Sequence, residues 1–466
     1  MLPKSIVLHI FTIKCKGLQN LTDNKGDMMK KFLFLLIAAL VVLAGCQSNT
    51  GGSENETIDV QAPDRDLVED GLPAFNEKVG DLAKTDLEIW LAADYANTAP
   101  IQDAIKEFQE VYPNISVKTV GIEWGDMSNK VKLAVSSGAV PDMSHAHAFA
   151  MGAQGLAEPL DDLWEEWGEE DQFLPGGIED TVWQGVKYGM PIDINTTIYL
   201  YNKKLFEENG ISEAPKTLDE LVEVSKKLTE KDGSRYGFIT SASGWGFFGN
   251  VIAAGTNPLS FEGDNVTANL NDPKIVETMK KYTGLATVDK SSPVPPPQQR
   301  QTDHPVAMFG SGRAASFISG PWDIERIKKE FPEAYKDLGT AVMPGTEKGS
   351  VLGGGSLFVP KGSENKVASF ELMKWFVSDK YGMRLAKEQG RHPVKAHLYE
   401  DEYYNDPLLQ PYVETLADAV PYKLEAYPEA NDAWGKALRA VFDGADAQKV
   451  LDDAQKVAEK AIDAAN

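Results

Sequence analysis

From Leu87 onward the chain alternates short apolar runs with helical periodicities, and this alternation restricts the fold more than any other feature. Leu87-Glu-Ile-Trp-Leu91 reads as a buried strand. Behind Pro100, a favourable first-turn residue, Ile101, Ala104, Ile105, Phe108 and Val111 recur at helical spacing. Ile115, Val117 and Val120 mark a second strand, and residues 126–137 a second helix that stops at Gly138. Pro141-Asp142-Met143 then opens a third strand-like segment. Such a βαβαβ rhythm predicts an α/β fold, a parallel sheet flanked by helices with ligand at the carboxyl ends of the strands.

A second region of this kind begins near Thr196. Ile198-Tyr-Leu-Tyr201 is a strand, and Thr217-Leu-Asp-Glu220 has the capping-box spacing for a helix carrying Leu221, Val224 and Leu228. Ser291 to Pro297 contains three consecutive prolines and must be an irregular loop. Val367, Phe370, Met373, Trp375 and Phe376 lie on a later helix, and the Ala-rich stretch Ala445 to Asn466 predicts an amphipathic closing helix. A chain of 466 residues, 42% apolar, has material for two packed cores. Its 70 acidic side chains outnumber 46 basic ones, a charge of −24 that repels phosphate backbones and anionic lipid. Nucleic acid is therefore not an expected partner. The two cysteines, Cys15 and Cys46, both precede the body, which leaves it no disulfide, CxxC metal site or cysteine nucleophile.

Met28-Met29-Lys30-Lys31 precedes an apolar run of thirteen residues, Phe32 to Ala44, and then Gly45-Cys46. A basic start, an apolar segment of this length and small residues before a cut site describe an export signal. Spanning a membrane takes about 20 apolar residues, so the run is too short for a transmembrane helix. Leu43-Ala44-Gly45-Cys46 resembles the bacterial lipobox, in which the cysteine is lipidated and becomes the first mature residue. Translation from Met28 or Met29 would leave that signal complete. Residues 1–45 are thus expected as upstream segment and signal peptide, and 46–84 as a tether, most clearly over the small polar stretch 47–56.

Several segments in order resemble the extracellular solute-binding protein family 1, the maltose-binding-protein-like sugar-binding subunits of ABC importers. They are Leu87–Trp90 with the helix Ile101–Tyr112, Val140-Pro-Asp142 followed by Gly155–Leu160, Tyr188–Ile192, Tyr201-Asn-Lys203, Met308–Trp322 and Gly353–Pro360. The resemblance covers roughly residues 86–466 and implies a two-lobed periplasmic-binding-protein fold whose discontinuous lobes are joined by hinge crossovers. On that pattern lobe one is 85–194 plus 356–400 and lobe two 195–355 plus 401–466. Spacing alone suggests two consecutive domains. The resemblance also implies capture of a carbohydrate, an oligosaccharide in particular, and its delivery to permease subunits in the membrane. The protein would be a monomer, free of cofactor, held to the outer face of the cytoplasmic membrane through lipid on Cys46.

A sugar has apolar C–H faces and a rim of hydroxyls, so its site needs flat aromatic surfaces and a few fixed polar groups. Trp322, after Gly320-Pro321, and Trp434, in Asn431-Asp-Ala-Trp-Gly435, match ligand-stacking tryptophans of the family; ordinary core packing is the alternative for both. Trp245 lies in the small-residue loop Ser243-Gly-Trp-Gly-Phe247. Asp94 and Tyr95 follow the first strand, where the carboxyl-end rule puts ligand contacts. Asn195 falls at the first crossover, where the family often has a carboxylate, and can still hydrogen-bond hydroxyls. His145 and His147 fill the loop where the family has polar sugar contacts, although His-x-His on one strand face could bind metal if a third ligand existed. Arg391, in Gly390-Arg-His-Pro393, is a further candidate near the last crossover.

No G-x-S-x-G elbow, Walker A loop or HExxH motif occurs. Gly353-Gly-Gly355 lacks dinucleotide-binding spacing and is expected to precede a strand. Acidic pairs such as Asp161-Asp162 and Glu165-Glu166 are expected by chance in so acidic a chain, and a solvated face is their default reading. The chain is therefore not expected to be an enzyme. The alternatives are a non-sugar solute on the same fold, an exported polysaccharide-acting enzyme and a structural surface lipoprotein.

Overall fold

The computed structural model describes residues 60–263, 265–296 and 304–465. The export-signal segment, Cys46 and Pro297 lie outside the described residues. Nine strands form the two larger sheets: β1 (Thr85–Ala92), β2 (Ile115–Ile122), β3 (Met143–Ala146), β4 (Gly189–Thr196), β5 (Ile198–Asn202), β6 (Ser316–Ser319), β7 (Leu338–Ala341), β8 (Ser350–Phe358) and β9 (Ala419–Pro421).

One sheet has the order β9-β8-β3-β1-β2, with β4 also paired to β8. β1 runs parallel to β2 and β3, as the βαβαβ spacing predicts. β8 is antiparallel to both β3 and β4, which local spacing could not show because β8 lies some 200 residues away along the chain. Leu87, Ile89 and Leu91 alternate into the core beneath the helix Ala99–Val111, whose Ile101, Ala104, Ile105, Phe108 and Val111 are all buried. The helix Trp124–Ser137 ends at Gly138 in the left-handed conformation (φ 72°), where glycine is unstrained. Residues 60–84 do not behave as a tether: Leu67, Leu72 and Val79 are buried in this same core, where their apolar surface is removed from water.

The second sheet, β6-β5-β7, is antiparallel, and Tyr236 and Ile239 add bridges to Ala314 and Phe317 beside it. Its core gathers Leu200, Phe317, Ile324 and Leu338 with Tyr404, Leu409 and Tyr412. A single residue, Thr197, separates β4 of the first sheet from β5 of the second. β8 is continuous through Ser356, with a register irregularity between Gly355 and Ser356. The triple glycine therefore lies inside a strand and not ahead of one, because Gly353, Gly354 and Gly355 pair with Asn195, Ile194 and Asp193. The closing helix is Ala447–Ala465, and Leu451, Ala454, Ala458 and Ile462 form its buried stripe. Among the described residues no helix is long and apolar enough to cross a membrane.

Candidate functional site

A cavity of about 1070 Å³ opens beside the second sheet, bounded by Thr240–Gly246, Pro293–Pro296, Phe317–Ser319 and the first turns of the helix Pro321–Glu330. Asp94, Gln389 and Arg391 reach it from the other sheet's side. The Ser243 hydroxyl accepts from the Gly246 amide (3.2 Å) and starts the helix Gly244–Ala253, which sets Trp245 in the first turn facing the cavity. Trp322 follows Gly320-Pro321 at the start of its helix, and its ring folds back over Gly320, where any β-carbon would collide with it. The two indole rings stand 6.3 Å apart, inclined at 46°. They form an open aromatic corner suited to the apolar face of a ring-shaped solute.

Gly390 ends the helix Asp379–Gln389 at φ 64°, and its backbone lies against that of Pro321 and Trp322. That turn delivers Arg391, which pairs with Asp94 and lies 5.0 Å from the Tyr95 ring and 5.7 Å from the Trp322 ring. Burial opposes the arginine charge, but Tyr95, Asp193, Asp94 and Asp323 outweigh it and hold the guanidinium firmly protonated. Asp323, in the cavity wall, accepts from the Ser319 hydroxyl (2.6 Å), and burial pushes its carboxyl up to about 6.

Beneath the aromatic corner the triple glycine forms a floor. A β-carbon on Gly353 would lie 2.8 Å from the Trp245 ring, and one on Gly355 would strike the His145 imidazole. Tyr95, His145, Asp193 and Asn195 gather around this floor, all buried. The Asn195 amide donates to one Asp193 oxygen. The Tyr95 hydroxyl and the Asp193 carboxylate face each other, while the Asn195 oxygen and His145 Nε2 have no hydrogen-bond partner. Burial pushes the Asp193 carboxyl up to about 6 against the pull of Arg391. Burial, Arg391 and His147 push His145 down to about 3, so its ring is neutral. A buried polar atom without a partner costs on the order of 1–3 kcal/mol, so the Asn195 oxygen and His145 Nε2 would gain from a donor that reaches them.

Asp94, Trp245 and Trp322 thus line the cavity, whereas Tyr95, His145 and Asn195 are buried beside it, against Arg391 and the triple glycine, and do not line it. Trp434 is placed differently: it is 0% exposed, packs on Phe247 and donates its indole N–H to the Gly244 carbonyl (3.0 Å). Its ring supports the helix that carries Trp245 rather than facing the cavity. His147 also stands apart, with Nδ1 2.7 Å from Asp180, whose other oxygen accepts from Ser356 (2.5 Å). Among the described residues no group of three His, Cys, Asp or Glu is placed to hold a metal ion. Asp193, Asp323 and Arg326 went unnoticed in the sequence; for Asp193 the signal was present, since it shares a strand face with Asn195 two positions on.

A two-sheet α/β fold with an aromatic and polar cavity between its parts defines a solute-binding protein. The chain belongs to the bacterial extracellular solute-binding protein family, whose model matches residues 92–383. It is 30% identical to the diacetylchitobiose binding protein DasA of Streptomyces coelicolor over 310 residues, 64% of this chain and 70% of that protein. It is 26% identical to the maltotriose-binding protein of Pyrococcus abyssi over 355 residues, 73% of each chain. The fold is that of the GacH receptor of Streptomyces glaucescens, at a TM-score of 0.72 and 22% identity, covering 82% of this chain and 99% of that one. The fold is two-lobed, and the family is one of extracellular binding proteins.

Proposed function

We propose that the chain is the substrate-binding lipoprotein of an ABC importer, which captures an oligosaccharide between two lobes and delivers it to the membrane permease. The observation that carries this reading is the Trp245–Trp322 corner in a cavity wall that also holds Asp94, Arg391 and Asp323, with the buried polar cluster of Tyr95, His145, Asp193 and Asn195 beside it. Aromatic faces take the C–H surfaces of a sugar, and the polar groups of the wall and of the adjoining cluster take its hydroxyls. A cavity of about 1070 Å³ stands at the top of the usual range of about 300–1,000 Å³ for small-molecule sites, which favours several sugar units over one. The names of the diacetylchitobiose and maltotriose relatives agree with that class.

In this reading lobe one is built on 85–194 and 356–400, with 60–84 packed in its core and β8 entering its sheet from Ser350, and lobe two on the greater part of 195–355 and 401–466; Thr197 lies at the first crossover, and Cys46 carries the lipid anchor. The ligand favours the closed form by touching both lobes at once, Trp245 and Trp322 from one and Asp94 and His145 from the other. A thermal-shift screen against mono- and oligosaccharides tests the class. A ligand at 100 times its dissociation constant adds about 2.7 kcal/mol of stability. Failure of every saccharide to raise the unfolding temperature would refute the reading.

A further inference from the structure

β2 ends at Ile122, and Trp124 opens the helix Trp124–Ser137 two residues later, at the carboxyl end of a parallel strand, where ligand contacts gather. Among the described residues it is the one exposed tryptophan, at 40%. A single exposed apolar side chain is ordinary on a protein surface; the surroundings of this one are not. Its ring stands edge to face with His145 (centroids 5.0 Å apart, 78°) and with His147 (5.4 Å, 87°), and the two imidazoles hold it in place.

The triple glycine links this indole to the aromatic corner. A β-carbon on Gly355 would lie 3.1 Å from the Trp124 ring, just as one on Gly353 would lie 2.8 Å from the Trp245 ring. The two positions are i and i+2 on β8, about 6.6 Å apart along the strand. Between them Gly354 has φ 111°, a conformation that favours glycine. A strip of bare backbone thus runs from one indole to the other, and a side chain at either end of it would crowd a ring.

We propose that Trp124 is a third aromatic platform, supplied by lobe one, on which a further unit of the oligosaccharide packs once the ligand has crossed the glycine strip. The proposal rests on the carbohydrate reading above and narrows it to chains longer than a disaccharide: units on Trp245 and Trp322 occupy the corner, and a third reaches Trp124. The exposed indole face is removed from water only when that unit arrives, so its contribution depends on ligand length.

The test is calorimetric titration of the full chain with malto-, chito- and galacto-oligosaccharides of one to four units. In the series that binds, affinity should rise about 10- to 30-fold from two units to three or four, the scale of one aromatic contact. Trp124→Ala should abolish that rise and leave the disaccharide unchanged, and Trp124→Phe should restore most of it. A platform also predicts that the trisaccharide, but not the disaccharide, shields the exposed indole of the unaltered chain from acrylamide quenching, a readout that holds even if Trp124→Ala fails to fold. Affinity independent of length, or a Trp124→Ala variant that weakens every length equally or none, would overturn the proposal and leave the carbohydrate reading standing. Binding of no saccharide in any series would overturn both.

Discussion

Replacing Trp322 and Trp434 one at a time by alanine separates a ligand platform from a structural support. The two indoles look alike in the sequence, yet their surroundings differ. Trp322 is half-buried, faces the cavity and has its ring over a glycine. Trp434 is 0% exposed and hydrogen-bonded to Gly244. Removing a fully buried tryptophan costs about 3–5 kcal/mol of stability, and orphaning the Gly244 carbonyl adds about 1 kcal/mol. Trp434→Ala should therefore lower the denaturant midpoint steeply. Trp322→Ala vacates a wall already open to solvent, so its stability cost falls below that range. In binding the order inverts: loss of an aromatic anchor costs about 2–4 kcal/mol, roughly a 30- to 1000-fold rise in Kd. Chemical unfolding and ligand titration on the same protein samples measure both quantities. If Trp322→Ala binds the saccharide normally, or loses binding only in step with unfolding, the platform assignment is refuted.

Other substitutions have equally definite outcomes. Gly353→Ala places a β-carbon 2.8 Å from the Trp245 ring, so calorimetry should show about 1–3 kcal/mol lost from overpacking and weaker saccharide binding as the ring is displaced. His147 is pulled down by burial but raised more strongly by Asp180 and Glu425, to about 9. Its stabilisation is thus complete below the unfolded value of about 6.5 and lost as pH rises through 9. His147→Gln leaves Asp180 buried without its cation and should cost about 3–5 kcal/mol at pH 6, a deficit that narrows by pH 10 in denaturant titrations. A deficit constant across that range would refute this role. Cys46→Ser should move the protein from the membrane fraction to the medium or leave it unprocessed, as fractionation and apparent mass would show; one acyl chain anchors marginally and two or more firmly.

The parts of the fold legible in the sequence were those set by local period. β1, the helix Ala99–Val111 and the closing helix follow from apolar residues at two- and 3.6-residue spacing, and all are present within a few residues of expectation. The antiparallel arrival of β8 between β3 and β4 has no local signature, because its partners are distant in sequence. The same limit applied to the site. Asp94, Trp245 and Trp322 carried signals of their own, a strand end, a small-residue loop and a family motif, and they meet in one cavity. Arg391 was a weak candidate because its meaning depends on Asp94, Tyr95 and Trp322, which the chain brings to it from far apart. Trp434 matched a family position while local packing had turned its ring into the core, and no pattern in one sequence distinguishes these outcomes.

The most direct test is a crystal structure of the chain with the saccharide that stabilises it most in the thermal screen. The account predicts a sugar ring against Trp322 or Trp245, with its hydroxyls within about 2.7–3.2 Å of Asp94, Arg391, Asp193, Asn195, Tyr95 or His145. A saccharide seated elsewhere on the chain, with the Trp245–Trp322 corner empty and these polar groups untouched, would contradict it.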